Sequence, residues 1–299
     1  MTLAPERVPT RGLRDSLPGL LSLALASFLA VTTEVSMVGL LPDVGAAFRV
    51  SDSVTGLLVS LYAVMVAVLA VPLTLATSRF GRKPLLLTTL LGYALSNALV
   101  AAAPLFTVVA AGRAIGGMTH ALFFSLMIGY APRLVSRAHV GRALALAGGG
   151  ASAGMVLGVP FATSLGAAAG WRVSFAVLAA VSLLTFVLVS RLLPSVTHEP
   201  GPGGSMRTGR RALTAVSASN LFSFLGQFTV YTFVSVLLLS SGVSPAFIGP
   251  ILLACGACGL ISLWWVGKHL DRSPRRAAVV ILTIVIGAII ALGSTWPSQ

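Results

Sequence analysis

Glu34 is the one carboxylate that stands well inside a long apolar run of this 299-residue chain. An ionisable group in hydrocarbon is expensive, so it is a functional candidate by default. Two further ionisable groups, Arg113 and His120, fall in another apolar run, seven residues apart and therefore on one helical face. With Leu40 and Leu105 at the same membrane surface, Glu34 lies roughly 9 Å deep and Arg113 roughly 12 Å deep, at a rise of 1.5 Å per residue. The similar depths place both groups at one level of the membrane; where the two runs are neighbours, Glu34 and Arg113 can interact directly or through water, and protonation of Glu34 would neutralise the pair. Burial and a neighbouring guanidinium act on such a carboxyl in opposite senses. A satisfied structural pair, or a Glu34 wetted at the outer mouth, is the competing reading. His120 can relay a proton or touch a substrate, or it can simply hydrogen-bond a neighbouring helix.

A second set of polar residues, Asn220, Ser223, Gln227 and Tyr231, is spaced at three to four residues and forms one stripe, with Phe224 and Phe228 beside it. Polar groups interleaved with aromatics suit an amphipathic organic substrate. Hydrogen bonding between helices explains the same stripe equally well.

The elements that must position these groups are membrane helices. The chain is 56% hydrophobic and only 9% charged, with a mean hydropathy of +0.97, whereas a soluble domain carries roughly 25% charged residues. Nine runs are long enough to span a bilayer: 17–40, 54–76, 85–103, 105–131, 143–165, 173–193, 213–240, 246–266 and 277–296. The first follows Arg7, Arg11 and Arg14 as a signal peptide would. Its length and the eight later spans mark it as a retained helix.

The net charge of +13 does not call for nucleic acid, because the basic residues lie between the apolar runs. With the N-terminus in the cytoplasm, 17 of the 20 Lys and Arg residues fall on the cytoplasmic side and only Arg49 and Arg172 outside, with Arg113 in a span. That asymmetry predicts a multi-pass protein of the cytoplasmic membrane with a cytoplasmic N-terminus. Cys255 and Cys258 share one apolar run, which argues against a disulfide framework, a zinc site or an exposed redox pair. Gly148, Gly149 and Gly150 lack the Lys-Ser/Thr of a phosphate loop. No metal or organic cofactor is expected.

The Pro- and Gly-rich segment around Pro194, Pro200, Gly201 and Pro202 reads as a linker. The expected organisation is a cytoplasmic tail 1–16, a six-helix bundle 17–193, a cytoplasmic linker 194–212, and an incomplete second bundle 213–299 with helices seven to nine. A duplication supports this plan. The basic turn at Ser78, Arg79, Phe80, Gly81, Arg82 and Lys83 returns 193 residues later as Asp271, Arg272, Ser273, Pro274, Arg275 and Arg276. Thr74 aligns with Gly267, Gly56 with Gly249 and Ser51 with Ser244 at the same offset. Nine spans against an expected twelve make the chain look C-terminally truncated. Gly150, Gly154 and Gly158, followed by Pro160, form a small-residue stripe for close helix packing. Gly249, Cys255, Gly256 and Gly259 in the eighth span offer a matching surface. Trp171, Trp264, Trp265 and Trp296 lie at span ends, where interfacial anchoring is expected.

A six-plus-six plan with a long central loop and a basic turn between helices two and three of each half resembles the major facilitator superfamily. The turns resemble its G-x-x-x-D-R-x-G-R-[RK] signature. The second copy runs from Gly267 through Asp271 and Arg272 to Arg275 and Arg276, and the first keeps Arg79, Gly81, Arg82 and Lys83 but has Ser78 at the Asp position. Arg113 with Gly117 resembles the R-x-x-x-G signature of proton-coupled members. Gly158-Val159-Pro160 with Gly170-Trp171-Arg172 resembles the antiporter signature of drug:proton exporters. Glu34 with Gly39-Leu40-Leu41-Pro42-Asp43 is similar to bacterial drug and sugar exporters of the chloramphenicol-resistance type.

The resemblance implies an all-α helical bundle with the first and fourth helices lining a central cavity and the fifth and eighth meeting between halves. It implies no enzyme, but efflux of small organic compounds or antibiotics by proton antiport, in a protein that is monomeric when full length. The basic turns act as gates in such a protein, and Ser78 should hold its gate less firmly. A sugar or metabolite exporter or uniporter of the same fold, or a non-transporting membrane fragment, are the alternatives.

Overall fold

A computed structural model of the chain describes residues 12–196 and 244–269 continuously, with isolated positions at 218, 219, 222, 242, 273, 276, 279–281, 283, 284 and 287. The described residues form α1 (Leu13–Phe48), α2 (Asp52–Ala76), α3 (Arg82–Ala102), α4 (Phe106–Tyr130), α5 (Val140–Ala169), α6 (Trp171–Leu192) and α7 (Pro245–His269). Two short 3-10 turns, Ala131–Leu134 and Arg137–His139, join α4 to α5. Among the described residues, six helices are long and apolar enough to cross a membrane.

The helix ends follow local chemistry. The Ser51 hydroxyl caps α2 by accepting from the Val54 amide at 3.4 Å, one of the donors a helix start leaves free. Gly170 alone separates α5 from α6 at φ 91° and ψ 151°, a conformation that side chains resist. Arg49 closes α1 in the left-handed region at φ 55°. The first helix is longer than the run 17–40 suggests, and it takes both Pro18 and Pro42 into its length. Its 36 residues reach roughly 54 Å, well beyond a hydrocarbon core of about 30 Å.

The contact pattern groups residues 1–196 with 258–299, and 197–257 separately. In the first group, the end of α7 lies against the start of α5, where a Cβ on Gly267 would stand 2.6 Å from Ala145 Cβ.

Helix α1 is central to this group and packs against α2 to α6. Its contact with α5 is made by the glycine stripe. A Cβ on Gly150 would strike the Ala24 carbonyl; one on Gly154 would lie 2.7 Å from Phe28 O; one on Gly158 would lie 3.1 Å from Thr32 Cα. The stripe itself faces α1, and the eighth span meets α5 on a neighbouring face, where a Cβ on Gly149 would stand 3.5 Å from Leu263. On α7, no described residue lies within 4 Å of a Cβ built on Gly259. The reason is reciprocal shape: α1 offers Gly39 against Val159 and Thr163 of α5, so both helices have small residues where their axes approach. Helix α5 continues through Pro160 without a break in assignment.

Trp171 also departs from expectation. It is buried, stacks near Phe48 at 5.9 Å, and lies under the Arg172 guanidinium at 4.2 Å. Arg172 in turn donates to Ala103 O at 2.8 Å. The tryptophan therefore ties α6 to the end of α1 rather than anchoring in lipid. Trp264 is exposed in the last turns of α7, with Lys268 Nζ 3.5 Å from its ring centroid.

Candidate functional site

Helices α1 and α4 run antiparallel. Ser16 near the start of α1 bonds Leu134 just after α4, and Phe48 at the end of α1 meets Phe106 at the start of α4. This geometry decides what meets Glu34. In a helix, carbonyls point toward the C-terminus and Cβ atoms tilt toward the N-terminus. The carbonyls of Thr33 and Glu34 therefore point toward Arg113, and the Glu34 side chain leans toward His120, two turns along α4.

Arg113 is buried at 1% exposure. Its Nη1 donates to Thr33 O at 2.9 Å and its Nη2 to Glu34 O at 3.1 Å. The guanidinium also lies over the Tyr62 ring, 4.3 Å from the centroid, a favourable cation–π arrangement. Its Nε has no hydrogen-bond partner among the described residues. The two residues expected to pair do meet, but through the backbone of Glu34 and not its carboxylate.

The carboxylate has a different neighbour. Glu34 Oε2 lies 3.6 Å from His120 Nε2, an ion-pair distance rather than a hydrogen bond. This is the one acid–base contact within 4 Å among the described residues. His120 Nδ1 is 2.9 Å from the Tyr62 hydroxyl. When Tyr62 donates to Nδ1, the neutral ring carries its proton on Nε2, facing Glu34. Phe124 lies tilted against the imidazole with ring centroids 4.7 Å apart, and Tyr93 meets it in a T-shaped contact at 6.3 Å. The His120 side chain is 9% exposed and that of Glu34 is 33% exposed, so the carboxylate is the less enclosed of the two.

Several of these residues were not singled out from sequence. Tyr62 on α2, Tyr93 and Asn97 on α3, and Thr33 on α1 complete the cluster. Asn97 Nδ2 donates to Thr33 Oγ1 at 3.2 Å and to Tyr93 O at 3.0 Å. A search for any polar residue at mid-span, applied as it was to Glu34, would have found them.

The first basic turn lies between α2 and α3. Ser78 donates its hydroxyl to Leu75 O at 2.7 Å, Lys83 Nζ donates to Ser190 O at 2.9 Å, and Arg79 is exposed. Gly81 caps α3 without a side-chain bond, and Arg82 begins the helix. Of the second turn, Arg276 is helical and exposed; Asp271, Arg272 and Arg275 lie outside the described residues. So do Asn220, Ser223, Phe224, Gln227 and Tyr231. A cavity of about 300 Å³ lies between the start of α1 and the end of α6, lined by Asp15, Lys83, Arg191 and Pro194 among others. Glu34, Arg113 and His120 do not line it.

Apolar spans enclosing a buried cluster of ionisable groups define a multi-pass helical membrane protein of the transporter kind. The chain belongs to the Major Facilitator Superfamily, which it matches over residues 23–299. It is 33% identical over 279 residues to a chloramphenicol efflux pump of Mycobacterium tuberculosis, in strain CDC 1551 / Oshkosh and equally in strain ATCC 25618 / H37Rv. That alignment covers 90% of this chain and 67% of the pump, which places the chain among members of the drug-efflux type. Among solved structures, it is similar to a proton:xylose symporter bound to 6-bromo-6-deoxy-D-glucose, with TM-score 0.66, 16% identity, and coverage of 88% of this chain and 70% of that one. It is also similar to the human organic anion transporter, with TM-score 0.65, 20% identity, and coverage of 90% and 73%. At these identities the two structures speak to the fold alone.

Proposed function

We propose that the protein exports small organic compounds, chloramphenicol-like antibiotics among them, across the cytoplasmic membrane in exchange for protons. The observation that carries this reading is the part-exposed Glu34 carboxylate beside buried His120 in the interior of the bundle. Such a group can take a proton from one side and release it to the other when the bundle alternates its opening. The identity to a named chloramphenicol efflux pump supports the substrate class. Arg113 holds the α1 backbone so that the carboxylate keeps its place. The coupled ion is the proton, no cofactor takes part, and the full-length protein works as a monomer with its N-terminus in the cytoplasm.

The test is chloramphenicol uptake into inverted membrane vesicles with and without a pH gradient. Uptake should require the gradient, and Glu34→Gln should lower the gradient-driven part on the order of a hundredfold, as expected for loss of a proton-transferring group. Uptake that an uncoupler leaves unchanged would contradict proton antiport and favour a uniporter of the same fold.

A further inference from the structure

The turn between α2 and α3 carries three cations and no carboxylate, and the nearest chemistry of Arg82 lies on another helix. Its guanidinium reaches the last turn of α4 and fills the place where a side chain on Gly129 would begin. From the position of a Cβ on Gly129, Arg82 Cζ is 3.3 Å away and Arg133 Nη1 is 3.6 Å away. Arg133 also donates to Gly129 O. Two half-buried guanidiniums are thus gathered around one bare stretch of backbone. Like charges held this close repel, and an anion between them would relieve that repulsion.

No described carboxylate fills that role. The acidic residues among the described positions are Asp15, Glu34, Asp43 and Asp52. None lies within 4 Å of Arg82 or Arg133, since the one acid–base contact at that distance is Glu34 with His120. Lys83, next to Arg82, is turned away to Ser190. Two forked guanidiniums match a tetrahedral oxyanion, which offers several acceptor oxygens at once. The flanks of the site are apolar and open: Phe80 is 61% exposed and Ile128, beside Gly129, is 59% exposed. A head group with an anionic phosphate and an attached apolar tail satisfies both features, and a bilayer presents such groups at the level where membrane helices end.

We propose that Arg82 and Arg133, drawn together where Gly129 leaves room for them, bind the phosphate of an anionic phospholipid. Inorganic phosphate shares the charge chemistry but has nothing to place on Phe80 and Ile128. The site is separate from the Glu34 cluster and does not depend on what the protein carries.

The test purifies the full chain in detergent, adds equal amounts of phosphatidylglycerol and phosphatidylcholine, and measures the retained lipid by native mass spectrometry. The wild type should retain phosphatidylglycerol in preference. Arg82→Gln and Arg133→Gln should each lower that preference about fivefold, in line with one basic side chain at an anionic surface. Gly129→Ala changes no charge but displaces the Arg82 guanidinium, so it should lower the preference as well. Equal retention of both lipids by the wild type, or unchanged preference in the double arginine variant, overturns the site. Unchanged preference in Gly129→Ala overturns it even where the arginine variants fail to fold. Displacement of phosphatidylglycerol by millimolar inorganic phosphate overturns the lipid assignment in favour of a soluble anion.

Discussion

Between Ala24 and Val35, helix α1 meets α5 across glycine and α4 across arginine and histidine. On the α5 side, backbone lies on backbone: a Cβ on Gly154 would stand 2.7 Å from Phe28 O, and Gly158 is close to Thr32 Cα. Nothing in those glycine contacts can take or lose a proton. On the α4 side, long side chains bridge the gap: Arg113 to the carbonyls of Thr33 and Glu34, and His120 toward the Glu34 carboxylate. The contrast teaches where a change of protonation can act. Such a change bears on the α1–α4 contact, which holds the ionisable groups, and not on the glycine contacts of α1 with α5, which hold none.

Breaking the glycine face should cost most. Gly150→Leu drives a branched side chain into the Ala24 carbonyl and should destabilise the bundle by about 3 kcal/mol, the upper range for overpacking. Thermal unfolding in detergent checks it, and a wild-type Tm would show that α5 does not sit on the α1 backbone. On the α4 face, Arg113→Lys keeps the charge but cannot fork across two carbonyls. It should cost about 2 kcal/mol, the value of a hydrogen bond to a charged group. If the Arg113→Lys variant proved as stable as the wild type in the same unfolding measurement, simple charge rather than the fork would be what matters. Tyr62→Phe should cost least, about 1 kcal/mol for one neutral hydrogen bond. It keeps the ring under Arg113 and removes only the hydroxyl at His120 Nδ1. A larger loss would mean that the tyrosine supports more than the imidazole.

Much of this was legible in the chain itself. The first six spans came from hydropathy, and the shared depth of Glu34 and Arg113 came from a rise of about 1.5 Å per residue. The seven-residue step from Arg113 to His120 placed both on one face of α4, where the structure has them. Depth and face do not say which atom of a residue is met. The opposite directions of carbonyls and Cβ atoms along α1, set against an antiparallel α4, sent Arg113 to the Glu34 backbone and the carboxylate to His120. The partner of the α5 glycines was equally hidden. A small-residue stripe announces close approach but not to which helix, and both α1 and the eighth span carry suitable glycines. Trp171 looked like a lipid anchor because it ends a span; Phe48 and Arg172 enclose it only once α1 and α6 are packed.

The central proposal is that the Glu34 carboxylate carries the coupled proton and answers to His120, with Arg113 acting on the backbone. The most direct measurement is the pH profile of chloramphenicol transport in inverted vesicles for the wild type, His120→Gln and Arg113→Lys. Tyr62, Tyr93 and Arg113 also face this cluster, so the two substitutions are compared in one background. The account predicts that His120→Gln moves the midpoint of the profile, whereas Arg113→Lys lowers the amount of transport and leaves the midpoint in place. A midpoint that stays fixed in His120→Gln and moves in Arg113→Lys would contradict it.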